Sequence, residues 1–135
     1  MLFFNIKSII LILQQFGNLM VIKKDASFYG SYFGSGELKL EGSYEGNLEI
    51  DTLHVKENGR FKGHVTAQKI IVEGELNADI ETDVINLKKT GIIDGDLLYR
   101  DLIIESGGLL KSSKIINMSK TSNVLKLKNN NLLDV

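Results

Sequence analysis

The chain has 135 residues, which fits one domain with tails, and 43% of them are apolar, so a core can be buried. Sixteen basic and 17 acidic side chains leave a net charge of −1, which gives no electrostatic footprint for nucleic acid. The absence of Cys excludes disulfides and thiolate metal sites and fits a cytoplasmic protein, while thirteen Gly without Pro point to tight corners between strands whose amides are hydrogen-bonded.

Residues 1–26 form an apolar N-terminal segment with a net charge of +2. Its longest apolar run, Ile9–Leu13, is far short of the roughly 20 residues of a membrane-spanning helix. Lys7 stands alone and no small-residue cleavage site follows, so a secretion signal is not expected. Read as a helix, the segment places Leu2, Phe3, Ile6, Ile9, Ile10, Leu13, Phe16 and Met20 on one face. That pattern suits a helix lying in a membrane surface, with Phe3, Ile6, Ile9, Ile10, Leu13 and Phe16 in contact with lipid. Lys23 and Lys24 then face anionic head groups. Two alternatives stay open: residues 1–22 cap the end of the following domain, or translation starts at Met20.

Residues 27–118 carry the repeat and a net charge of −5. Pairs of small residues four apart recur as Ser27/Ser31, Gly42/Gly46, Gly59/Gly63, Gly74/Ala78, Gly91/Gly95 and Gly107/Lys111. Successive first members are 15, 17, 15, 17 and 16 residues apart. The alternation comes from one corner, short at Leu40-Glu41-Gly42 and two residues longer at Val55-Lys56-Glu57-Asn58-Gly59. With each coil registered on its second small residue, four apolar columns emerge. They are Tyr29/Tyr44/Phe61/Leu76/Ile93, Phe33/Leu48/Val65/Ile80/Leu97, Leu38/Leu53/Ile70/Ile85/Leu102 and Leu40/Val55/Val72/Leu87/Ile104. Twenty apolar residues in twenty positions arise by chance about once in 10⁷, before allowance for the choice of register.

Short alternating stretches split by small residues are the pattern of strands, not of helices. The fold expected is all-β: a single-stranded parallel β-helix of about six coils of 15–17 residues. About five inward apolar residues per coil fill the interior and leave no room for a small-molecule substrate. In the sixth coil Leu109 holds the first column and Met118 the third, while Ser113 and Lys120 break the second and fourth. Residues 119–135, with Asn129-Asn130-Asn131, read as a polar, mostly disordered tail.

The corners Glu41-Gly42-Ser43-Tyr44-Glu45-Gly46 and Glu57-Asn58-Gly59-Arg60-Phe61-Lys62-Gly63, and the run from Gly91 to Gly107, resemble the bactofilins. The resemblance covers residues 27–118, though several coils replace Gly with Ser, Ala or Lys. It implies a right-handed β-helix that polymerises end to end without nucleotide or other cofactor. It also implies a role in cell shape, with the inner membrane and peptidoglycan-modifying enzymes as partners, and it carries no catalytic residues.

Physics points the same way, because a solenoid has two open ends and unprotected strand edges recruit other edges. The expected polymerisation surface is Phe28, Tyr29 and Phe33 at one end and Leu109, Leu110, Ile115, Ile116 and Met118 at the other. His54 and His64 fall on different outward faces, which disfavours a metal pair. Asp79 and Asp96 share an outward column and read as a solvated ladder, and Asp83 lies beneath Arg100. No phosphate-binding loop or nucleophile constellation occurs. The rival readings are a capped, non-polymerising binding scaffold and an enzyme like the hexapeptide acyltransferases. Those enzymes use a six-residue period and a His between subunits, and 15–17 is not a multiple of six.

Overall fold

A computed structural model describes residues 19–112 and 114–118. These residues form one parallel sheet of ten strands wound into a β-helix of about six coils, with no helix among them. The strands are β1 (Leu19–Ile22), β2 (Ser27–Phe33), β3 (Glu37–Leu40), β4 (Ser43–Val55), β5 (Arg60–Val72), β6 (Glu75–Leu87), β7 (Ile92–Asp94), β8 (Leu97–Ile104), β9 (Leu109–Lys111) and β10 (Ile115–Asn117). The sheet thus begins at Leu19, inside the segment that the repeat leaves out, because Leu19–Ile22 pairs in parallel with Glu37–Leu40.

Each long strand spans two faces and bends at a small residue. Gly46 pairs with Gly63, and Gly63 with Ala78. Gly46 and Gly63 hold φ of 140° and 133°, where a side chain is strained. A Cβ on Gly63 would also collide with the Gly46 carbonyl oxygen of the coil above. At Gly46 and Gly63 the corner therefore needs glycine both for its dihedral and for the close backbone approach.

The alternating spacing has a simple cause. The long corners close as turns, with the Gly59 amide donating to the Lys56 carbonyl at 2.8 Å and Gly91 to Lys88 at 2.9 Å. At the short corner the amides of Glu73 and Gly74 both donate to the Val55 carbonyl.

In the central coils the columns stack as the periodicity predicts. Leu53, Val55, Ile70, Val72, Ile85 and Leu87 are each 0% exposed. A fifth inward column, Ile50, Ala67 and Thr82, closes the interior. The repeat misses it because its third member is polar. Thr82 is satisfied locally, its hydroxyl donating to the Val84 carbonyl at 3.1 Å.

The terminal coils differ from the predicted register, by one residue in β2 and β9 and by two in β10. Gly30, not Ser31, pairs with Gly46, so Phe28 and Tyr32 point inward while Tyr29 and Phe33 point outward. The extra residue sits at Gly34-Ser35-Gly36, between the paired segments of β2 and β3. At the other end Leu110, not Leu109, lies under Ile93, and Ile115 takes the second-column place given to Ser113. A one-residue slip in a strand exchanges its two faces. It stays hidden in β2 and β9 because Phe28-Tyr29, Tyr32-Phe33 and Leu109-Leu110 are apolar doublets that fill a column in either register.

Candidate assembly surfaces at the two ends of the solenoid

The described solenoid leaves a strand edge open at each end. At the N-terminal end β1 pairs only with β3 and β2 only with β4. At the C-terminal end β9 pairs only with β7 and β10 only with β8. Asp101–Ile104 of β8 pair with β6 above. No described strand lies on their other side. These edges present backbone donors and acceptors to whatever approaches along the axis.

The N-terminal end is aromatic. Phe28 stacks on Tyr44 with ring centroids 4.7 Å apart, so one face of its ring is covered from below. Met20, Ile22 and Tyr32 are partly buried beside it. Tyr29 and Phe33 stand on the outer rim, 73% and 66% exposed.

The C-terminal end is aliphatic. Leu110 and Leu102 pack upward on the core. Ile104 and Ile115 continue inward columns yet are 48% and 45% exposed, because the coil that would cover them is not among the described residues. Leu109 and Ile103 are exposed on the outside. Ile116 lines a shallow groove with Leu98, and Met118 lines one beside Arg100.

The predicted assembly residues therefore divide in two. Phe28, Leu110 and Ile115 belong to the inward columns, while Tyr29, Phe33, Leu109 and Ile116 belong to the outer rim. The ends also carry Met20, Ile22, Tyr32, Leu102 and Ile104. Leu102 and Ile104 already close the predicted third and fourth columns, and Met20 and Ile22 extend those columns by one coil at the N-terminal end. The predicted lipid contacts Phe3, Ile6, Ile9, Ile10, Leu13 and Phe16 lie outside the described residues. Among the described residues no helix is long and apolar enough to cross a membrane.

The polar surface shows pairwise ladders. His54 Nε2 meets Glu73 Oε2 at 2.5 Å, and His64 Nδ1 meets Asp79 Oδ2 at 3.3 Å. Arg100 Nε donates to Asp83 Oδ1 at 3.1 Å, as the shared column predicts. No group of three His, Cys, Asp or Glu able to hold a metal occurs among the described residues.

A family model described as "Bactofilin: Polymer-forming cytoskeletal" matches residues 20–114. The chain belongs to the bactofilin family. The match begins within one residue of the first strand of the sheet, Leu19. It supports a polymer-forming cytoskeletal role and self-association. No match was found among curated proteins or solved structures.

Proposed function

We propose that this bactofilin is a non-catalytic cytoskeletal scaffold whose solenoids join end to end, without nucleotide, into filaments at the inner face of the cytoplasmic membrane. The observation that carries the reading is the pair of open apolar ends. Inward columns reach both ends and stop at half-exposed residues such as Ile104 and Ile115. About half of each side chain is already covered, so burying the rest stabilises a joint by about 1 kcal/mol each. Phe28, Leu110 and Ile115 form the centre of the joint. Tyr29, Phe33, Leu109, Ile116 and Met118 surround it. The scaffold then supports cell shape by gathering peptidoglycan-modifying enzymes.

Electron microscopy of the full-length protein beside an Ile104→Glu, Ile115→Glu variant tests this. Wild-type filaments that disappear in a variant with unchanged circular dichroism support the joint. A wild type that stays monomeric at high concentration overturns it in favour of a capped binding scaffold.

Attachment to the membrane through Phe3, Ile6, Ile9, Ile10, Leu13 and Phe16 is the second part of the reading. Its support is the one-sided apolar pattern, followed by the exposed Lys23 and Lys24. Ile9→Asp with Leu13→Asp is expected to abolish co-sedimentation with anionic vesicles. Unchanged co-sedimentation rejects the attachment.

A further inference from the structure

One corner of the solenoid carries a charge pattern that stacking alone does not require. The inward column Ile22, Leu40, Val55, Val72, Leu87 and Ile104 is in register through every coil. The next residue in each coil turns the corner. These six residues are Lys23, Glu41, Lys56, Glu73, Lys88 and Glu105. Sign alternates at every rung, with rungs about 4.8 Å apart. Two neighbouring pairs are in contact: Lys56 Nζ lies 4.0 Å from Glu73 Oε2, and Lys88 Nζ lies 2.9 Å from Glu105 Oε2. The hydrogen bond from Lys88 holds the Glu105 carboxyl below the usual carboxylate range. Each of these four side chains remains between 34% and 41% exposed, so the ladder faces outward as well as along itself.

An alternating ladder with an even number of rungs is its own complement when read backwards. A copy turned end for end about a two-fold axis sets Lys23 against Glu105, Glu41 against Lys88 and Lys56 against Glu73. A copy running the same way in register sets like charge on like at every rung, which is repulsive. The same axis acts on the outer column two residues earlier. There it brings Val21 against Ile103, once at each end of the contact, and these two are 43% and 52% exposed. The result is an isologous contact with apolar ends and a charged centre.

We propose that this corner is a lateral interface between two antiparallel copies of the chain. It adds a sideways contact to the end-to-end reading and is separate from the end joint. Rungs Lys56 and Glu73 are the third and fourth of six, so no end joint brings them together.

Disulfide trapping tests it directly, since the chain has no Cys of its own. Full-length Lys56→Cys and Glu73→Cys proteins are mixed and oxidised. The expected product is the mixed dimer, because the two-fold axis passes between these rungs and sets the two cysteines opposite each other. Dimers of either variant with itself, or no dimer at all, overturn the proposal.

A second pair guards against a local effect of the cysteines. Lys56→Glu with Lys88→Glu makes the ladder largely acidic, and Glu41→Lys with Glu73→Lys makes it largely basic. Each alone is expected to lose lateral pairing in sedimentation at about 0.02 M salt, and a mixture of the two is expected to regain it. Wild-type pairs are expected to separate at about 0.5 M salt, where screening acts within a few ångströms. Pairing retained by either variant alone, or at high salt, overturns the proposal. If the wild type forms single filaments at high salt, the end-to-end reading stands whichever way these tests fall.

Discussion

Tyr44 lies flat on Phe61, ring centroids 4.8 Å apart and planes within 9° of parallel, and Phe28 extends the stack at the N-terminal end. Parallel coils force this arrangement, because residues in one column are held at the strand spacing. Phe61 is 2% exposed in the middle of the stack. Phe61→Ala is expected to cost about 3–5 kcal/mol through lost burial and a cavity. Phe61→Leu is expected to cost less, since much of the volume is kept. Urea unfolding followed by circular dichroism measures both.

The Tyr44 hydroxyl donates to the Asn47 carbonyl. Burial pushes its phenol up to about 12 from the usual 10, with a backbone hydrogen bond from Tyr32 working the other way. A raised folded-state pKa means that the protonated form is favoured by folding. That contribution is whole below pH 10 and is lost as pH rises toward 12. Stability is therefore expected to fall over this interval, by on the order of 2 kcal/mol. Tyr44→Phe removes this decline, at the cost of about 1 kcal/mol near neutrality for the lost hydrogen bond. An unfolding series against pH that declines equally in both proteins rejects the assignment.

Gly63 combines a φ of 133° with a carbonyl where its Cβ would lie. Gly63→Ala is expected to destabilise by about 1–3 kcal/mol. The next coil has Ala78 at the matching place, so Ala78→Gly separates the effect of the corner from that of the residue type. A thermal melt in which Gly63→Ala leaves the midpoint unchanged contradicts the steric account.

Arg100 and Asp83 form an ion pair with side chains 52% and 55% exposed. Water screens such a pair, and its removal is expected to cost less than about 1 kcal/mol. Arg100→Ala should then shift the urea midpoint by less than Phe61→Leu does. A larger shift would mean that the groove shared by Arg100 and Met118 contributes packing as well.

The coil grammar was legible in the residues. A period-2 pattern cut by glycine at fixed intervals leaves few ways to bury Leu53, Ile70 and Ile85 other than one above another. The corner alternation was legible for the same reason, since two extra residues at Lys56–Gly59 need somewhere to go. The fifth column was not, because Thr82 reads as an outward polar residue until its hydroxyl is seen to donate to a local carbonyl.

Sequence alone determined the architecture, because burial on one face of a strand repeats every second residue and a slip in the central coils would bury charge. Only the tertiary structure decided the register of the two end coils. There Phe28-Tyr29 and Leu109-Leu110 are apolar whichever way the strand turns, so composition carries no preference. The choice comes from where Gly30 pairs with Gly46 and Gly108 lies beneath Gly91, with the Leu109 amide donating to the Gly91 carbonyl at 3.0 Å. Those are backbone contacts between residues some 16 apart in the chain, set by how closely two coils approach and invisible in any local pattern.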